Sequence, residues 1–223
     1  WKILAKPAKK LRLGMRLVFA EDFSCEVLLK EADGTLLVQF ADDDAGVRAK
    51  ANRYGDVPLP PYVKSAPESS IADRYQTVYA KHEGSVAAPT AGFHFTPDLI
   101  GRLKASGVEF ADVTLHVGLG TFLPVKTERV EDHTMHSEWV ELGAETVAAI
   151  NRAKKEGRRV IAVGTTTVRV LEGVALYQSH GASRRIDGTE ISLQPFTGDL
   201  NVFITPGFMF RVIDGLVTNI HLP

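Results

Sequence analysis

Three prolines fall in four positions in the run Val57-Pro58-Leu59-Pro60-Pro61-Tyr62. Each proline fixes its own φ at about −65° and pushes the residue before it out of the helical region. A helix cannot run through such a segment. A central strand cannot use it either, because ladder N–H groups are missing. The chain must cross this point as a stiff, extended connection, and the sequence divides here. Residues 1–56 are expected to form a small β-barrel domain. Residues 57–223 are expected to form a layered α/β domain that carries the site.

The first part reads as β. Short apolar runs lie at 1–5, 16–19, 25–29 and 36–40, with turn signals at Leu13-Gly14 and Ala32-Asp33-Gly34 between them. An Asp-Gly pair between such runs is a hairpin signal, and strands this short and evenly spaced suggest a barrel or sandwich. A short helix is expected from Asp42 to Tyr54, opening on acids and stopping at Gly55. Beyond the prolines the rhythm changes. Helices are expected over 70–82, 96–106, 144–156 and 165–177. Strands are expected over 84–88, 108–117, 137–142, 159–163, 202–205, 211–213 and 216–221. Helices alternating with strands give an α/β layer.

Composition closes off whole classes. The chain has 223 residues, 44% of them hydrophobic and 24% charged, which excludes disorder, collagen and coiled coil as a description of the whole. No apolar run approaches the roughly 18 residues of a membrane helix, so no membrane partner is expected. The start, Trp1-Lys2-Ile3-Leu4-Ala5, is not a signal peptide. The lone Cys25 cannot form an internal disulfide, which points to a reducing, cytoplasmic setting. The absence of an initial Met and of a polar tail after His221-Leu222-Pro223 reads as a piece of a longer protein.

The 26 Lys+Arg and 27 Asp+Glu leave a net charge of −1, which argues against a nucleic-acid coat over the whole surface. A local patch stays open, because the charges are unevenly placed. Lys2, Lys6, Lys9, Lys10, Arg12 and Arg16 occur with no acid before residue 21. A second basic group is Arg152, Lys154, Lys155, Arg158 and Arg159. Either could meet phosphates, and either could be an ordinary solvated surface.

Several segments could carry chemistry. In Thr114-Leu115-His116-Val117-Gly118-Leu119-Gly120-Thr121-Phe122 a strand ends in Gly-x-Gly. The third small residue of a dinucleotide fingerprint is absent and no helix follows, so that fingerprint fails. Two glycines still let a ligand approach closely beside His116, or simply make a tight turn. Asp132-His133-Thr134-Met135-His136-Ser137-Glu138 offers two histidines and a carboxylate, suited to a metal or, more naturally, to proton transfer near neutral pH. Val163-Gly164-Thr165-Thr166-Thr167-Val168-Arg169 passes from a strand through hydroxyls into a helix. Free N–H groups there favour an anion, with simple N-capping as the plainer alternative. Ala88-Pro89-Thr90-Ala91-Gly92-Phe93-His94 is a loop of small residues able to wrap a ligand, or to pack against a satisfied histidine.

Ala88 to Phe95, Thr114 to Phe122, Asp132 to Trp139, Val163 to Arg169 and Thr218 to Pro223 closely resemble the S-adenosylmethionine:tRNA ribosyltransferase-isomerases of queuosine biosynthesis. The resemblance is looser over Leu4 to Leu11, and it covers the middle of that enzyme. It implies an α/β domain with an inserted barrel and no metal. It also implies a reaction in which the ribosyl part of S-adenosylmethionine moves to the aminomethyl group of a deazaguanine at the tRNA wobble position. Epoxyqueuosine-tRNA forms, and adenine and methionine leave. The partners implied are precursor tRNA and S-adenosylmethionine; a monomer is expected.

That chemistry needs a base for an acidified C5′ hydrogen, an acid for the departing adenine and a base for the attacking amine. His94, His116, His133 and His136, with Glu138 as their partner, are the expected proton-transfer groups. Thr90, Gly92, Gly118, Gly120, Thr121, Gly164, Thr165, Thr166, Thr167 and Arg169 are the expected contacts to S-adenosylmethionine or to a phosphate. The rival readings are a metal-dependent hydrolase built on His133, His136 and Glu138, and a non-catalytic RNA-binding fragment.

Overall fold

The structure, a computed structural model, describes residues 1–31, 34–56, 58–59, 75–118, 137–179 and 192–219. It divides into two compact units, Trp1–Glu68 and Ser69–Pro223.

The first unit opens with strand β1 (Lys2–Ile3) and a 3-10 turn (Ala8–Lys10). Strands β2 (Arg16–Ala20), β3 (Phe23–Lys30) and β4 (Leu36–Phe40) follow, and then helix α1 (Asp44–Tyr54). The strands pair antiparallel in the order β1-β4-β3-β2. Strand alternation sends Phe23, Cys25 and Val27 to one face of β3, where they are buried. Cys25, Val27, Leu36 and Val38 form the core, with Ile3, Ala5, Leu11, Leu17 and Phe40 packed against it. Burial pushes the Cys25 thiol up, so this cysteine is an inert core residue rather than a nucleophile. The Asp43 carboxylate caps α1 by accepting from the Gly46 N–H at 2.8 Å, and the helix stops at Gly55 as expected.

The described residues of this unit form an open four-stranded sheet, and the expected barrel is not confirmed. Among the described residues β1 and β2 are the two edges and do not pair with each other. The reason lies in β1. Its two residues spend their pairing on β4, through Lys2 with Leu37 and Ile3 with Leu36, and leave too short a strand to close a ring.

The second unit holds a 3-10 turn (Thr90–His94), helix α2 (Pro97–Ala105), strand β5 (Thr114–His116), strand β6 (Glu138–Leu142) and helix α3 (Ala144–Lys155). Strand β7 (Ile161–Val163), helix α4 (Thr165–Gln178), strand β8 (Phe196–Leu200) and strand β9 (Gly215–Val217) complete it. Strands β5, β6 and β8 form an antiparallel sheet in that order, and β7 pairs parallel with β9. A mixed α/β architecture results, as the sequence indicated.

Helix α3 buries Thr146, Val147, Ile150 and Ala153, a stripe at helical spacing. Helix α4 is apolar on nearly all sides and buries Val168 and every residue from Val170 to Ala175. Their side chains meet Val140, Leu142, Leu193, Leu200 and Val212 in one core. Gly173 allows that approach, since a Cβ there would lie 3.1 Å from Leu200 Cδ1 and 3.2 Å from Val202 Cγ1.

Several expectations fail locally, and the strands expected over 84–88 and 202–205 do not form. No helix forms over residues 75–82, where the Gln76 side chain takes the Thr77 N–H at 2.8 Å in place of a helical acceptor. The strand expected over 108–117 narrows to Thr114–His116. Residues 211–213 are not a strand, because their three N–H groups go to the fully buried carboxylate of Glu172 at 2.8, 2.9 and 3.0 Å. No helix among the described residues is long and apolar enough to cross a membrane.

Candidate active site

Helix α4 begins at Gly164, whose φ of +88° turns the chain sharply out of β7, and no side chain caps the helix. The first-turn N–H groups of an α-helix have no acceptor within it, so this end offers donors and the positive end of a dipole. The Gly164 N–H itself donates to Val217 O at 2.8 Å, which ties the turn to β9. The Thr167 hydroxyl donates back to Val163 O at 2.7 Å, so its proton is committed to the helix. Thr165 is exposed and Thr166 half-buried.

A cavity of ≈ 90 Å³ lies beside this helix start. Its walls are Thr166, Thr167 and Val163 on one side, Val113, Leu115 and Val117 on another, and Tyr79, Ser85, Ala87 and Pro89 on a third. The 3-10 turn carrying Thr90 and Gly92 sits next to it, since Ala91 Cβ is 3.8 Å from where a Cβ on Gly164 would be. Gly92 is required for local packing: a Cβ there would lie 2.2 Å from the Tyr79 hydroxyl and 2.6 Å from Thr77 Cγ2. Burial, with the Asp112 charge second, pushes the Tyr79 hydroxyl up, so it stays a proton donor near neutral pH. His94 is exposed at the end of the same turn.

Strand β5 explains where His116 goes. Pairing sets Leu115 opposite Val140 and His116 opposite Trp139. Alternation then puts Leu115 and Val117 on the cavity side and His116 on the opposite face. There its ring stacks on Trp139, with centroids 5.0 Å apart and planes at 21°. The backbone of Gly84 closes in behind it, with no room for a Cβ, which would sit 2.6 Å from His116 Nδ1. The strap that follows runs along β5: the Val86 N–H donates to Val117 O at 3.0 Å, and the Ser85 hydroxyl bridges Leu115 O and Val117 N–H.

Glu138 belongs to a different constellation. In β6 it shares a face with Val140 and Leu142, and its side chain is 6% exposed. One oxygen accepts from Arg169 Nη1 of α4 and the other from the Gly118 N–H at 3.2 Å. Among the described residues Glu138 therefore forms a buried ion pair that also holds the backbone at Gly118, and the expected histidine partners His133 and His136 lie outside the described residues. Arg169, expected to meet an anion, spends a guanidinium nitrogen on this pair, and its buried Nε has no hydrogen-bond partner among the described residues.

The structure thus gathers Gly118, Glu138 and Arg169 into one network, and Thr166 and Thr167 into the wall of one cavity. It sets His116 apart from both. Gly120, Thr121, His133 and His136 lie outside the described residues. Among the described residues no three His, Cys, Asp or Glu side chains converge as metal ligands do. Of the hydrolase triad only Glu138 is described, and both its oxygens are already engaged. Sequence reasoning missed Tyr79, Gly84, Ser85 and Trp139. The period-2 pattern of β6 carries a signal for Trp139, and the positive φ of Gly84 is a property that glycine favours.

A family model described as queuosine biosynthesis protein matches residues 1–223. The chain belongs to this family. Among curated relatives, the S-adenosylmethionine:tRNA ribosyltransferase-isomerase of Rhodospirillum rubrum is 46% identical over 223 residues, covering 100% of this chain and 61% of the relative. The protein of the same name from Carboxydothermus hydrogenoformans is 48% identical over 224 residues, covering 100% and 61%. A crystal structure of the S-adenosylmethionine tRNA ribosyltransferase from Thermotoga maritima matches with 31% identity and a TM-score of 0.43, covering 100% of this chain and 56% of that one. The chain therefore spans about 61% of the length of these curated relatives.

Proposed function

We propose that the complete protein transfers and isomerises the ribosyl moiety of S-adenosylmethionine onto 7-aminomethyl-7-deazaguanine at the tRNA wobble position. Epoxyqueuosine-tRNA is the product, and adenine and methionine are released. The observation that carries this reading is the match of the whole chain, at 46–48% identity, to relatives named for that activity. S-adenosylmethionine is a consumed ribosyl donor here. The reading includes a cytoplasmic, monomeric protein that works without a metal.

Within the site, the N-terminal turn of α4 at Gly164, Thr165 and Thr166 takes an anion, the methionine carboxylate or a tRNA phosphate. Its uncapped N–H groups beside the cavity support this role. Thr90 and Gly92 lie beside the same cavity, and Gly118, Gly120 and Thr121 are further contacts to S-adenosylmethionine. His94 and His116 are proton-transfer groups together with His133 and His136. The stacked, backed imidazole of His116 has its orientation held by Trp139 and Gly84, which suits a group that must meet one proton repeatedly. Arg169 and Glu138 support the Gly118 backbone rather than move protons.

Incubating the full-length protein with S-adenosylmethionine and precursor tRNA tests the proposal. Adenine and methionine should be released only when both substrates are present, with the ribosyl unit recovered on the tRNA. Release of adenine without tRNA, or none at all, would overturn it. Single His→Ala variants then separate the four histidines; normal turnover in all four removes the proton-transfer role.

A further inference from the structure

Of the two basic groups, the one on helix α3 is largely spent inside the protein. Arg152 pairs with Glu109 at 2.7 Å, and Lys154 with Asp214 at 2.8 Å. Arg158 pairs with Glu156 at 2.7 Å and Glu109 at 3.4 Å. Lys155 and Arg159 make no hydrogen bond or ion pair with a described residue, although the charge of Arg159 acts on Asp214. Paired cations release few counterions, because their field is already neutralised at short range.

The N-terminal group is different. Lys6, Lys9, Lys10 and Arg12 are all exposed, and none makes a hydrogen bond or ion pair with a described residue. They cluster on and around the 3-10 turn Ala8–Lys10. The Lys30 ammonium joins them by donating to Leu11 O at 2.5 Å. The nearby carboxylate Glu31 is taken by Lys2 at 2.5 Å. Four cations without an ion-pair partner thus fall within seven residues on and around one turn, and exposed charges reinforce one another over a Debye length of about 8 Å. Leu13, 62% exposed, adds an apolar surface at the edge of the patch.

We infer that Lys6, Lys9, Lys10 and Arg12 form a phosphate-contact surface for RNA, and that this surface, rather than helix α3, contributes most of the electrostatic affinity for tRNA. The inference rests on the proposed action on tRNA. It adds which face of the first unit meets the polyanion.

The test uses the full-length protein and a tRNA transcript, with affinity measured by fluorescence anisotropy across a salt series. Two variants are compared, one with Lys6, Lys9, Lys10 and Arg12 all changed to Ala, the other with Lys155→Ala and Arg159→Ala. Each phosphate contact to a single strand contributes a slope of about 0.7 in log K against log salt, so the fourfold variant should lose a slope of about 3. Its affinity should fall on the order of 100-fold at 0.1 M salt, with S-adenosylmethionine binding and thermal unfolding unchanged. The second variant should keep nearly the parent slope. A fourfold variant with the parent slope overturns the assignment, as does a larger loss in the α3 variant. Parent binding to anionic phosphatidylserine vesicles as tight as to tRNA would also overturn it, by marking the patch as a membrane surface. A parent that binds S-adenosylmethionine but shows no salt-dependent tRNA binding overturns instead the tRNA reading on which the patch depends.

Discussion

The Glu138–Arg169 pair gives the sharpest test of the site. Glu138 is 6% exposed and Arg169 21% exposed. Changing Arg169 to Ala leaves a carboxylate in the core with the Gly118 N–H at 3.2 Å as its remaining partner among the described residues. Removing one member of a buried pair costs about 3–5 kcal/mol. Arg169 keeps some contact with water, so the lower end applies, about 3 kcal/mol. Glu138→Gln keeps an acceptor but loses the charge assistance, and should cost about 2 kcal/mol. In a Glu138→Ala, Arg169→Ala cycle the two changes should couple by about 1.5 kcal/mol or more, since the double variant leaves no lone charge.

Urea unfolding reads this directly. The chain has two tryptophans, Trp1 and Trp139. In a Trp1→Phe background the chain's remaining tryptophan is Trp139, next to Glu138, and it reports on the second unit. With an m-value of roughly 2 kcal/mol/M, the Arg169→Ala midpoint should fall by about 1.5 M. Additive single effects, with coupling below about 0.5 kcal/mol, would refute the buried network. A Glu138→Gln variant that is fully stable but has lost turnover would restore Glu138 as a proton-transfer group.

Three further perturbations probe other parts of the second unit. Gly84→Ala places a Cβ at φ +149° against the His116 ring; it should cost about 1–3 kcal/mol and shift Trp139 emission as the imidazole leaves the stack. Glu172→Gln turns an amide N–H2 toward at least one of the three N–H groups that its carboxylate now satisfies. It should cost about 1–3 kcal/mol by urea midpoint, and hydrogen exchange should quicken at residues 211–213. At Asp214 burial pushes the carboxyl up, but the hydrogen bonds from Lys154 and from the Val160 N–H, with the charges of Lys154 and Arg159, hold it below its ordinary value. Its folded form therefore prefers to be ionised more than its unfolded form does. The stabilisation is complete above the ordinary carboxylate value of about 4 and is lost as pH falls through the lower folded value. The wild-type urea midpoint should drop more steeply than that of Asp214→Asn below about pH 4; parallel curves would deny the linkage.

The helices were legible because their ends carry local chemistry. Thr96 accepts from the Leu99 N–H at 3.2 Å, Pro97 takes the first helical position, and Gly107 follows the end with a positive φ of +89°. None of that depends on the rest of the fold. Strand β8 was not legible. Phe196-Thr-Gly-Asp-Leu200 contains two poor strand formers, and what holds it is its register with β6, Val140 against Gly198 and Trp139 against Asp199. The segment at 211–213 failed in the opposite sense. Its residues look like a strand, but their N–H groups are claimed by Glu172, about forty positions earlier in the sequence. Both errors come from partners that sequence distance hides.

The site shows the same division between what is local and what is not. Glu138 was grouped with His133 and His136 because they are neighbours in sequence. The alternation Glu138, Val140, Leu142 already places that carboxylate in an apolar row, where a charge must be paired. Only its partner, Arg169, thirty-one residues on, depends on how α4 packs. The three threonines after Gly164 illustrate the converse. As a sequence they offer three hydroxyls to an anion, but Thr167 donates to Val163 O. A hydroxyl proton given to the helix cannot also be given to a ligand. The proposed anion site there consists of the first-turn N–H groups with Thr165 and Thr166. Thr167→Val should therefore leave S-adenosylmethionine affinity within about threefold, whereas Thr166→Val should weaken it by about 0.5–1.5 kcal/mol, the net worth of one hydrogen bond. Calorimetric titration of the two variants decides this, and equal losses in both would mean that the Thr167 hydroxyl turns from the helix to the ligand on binding.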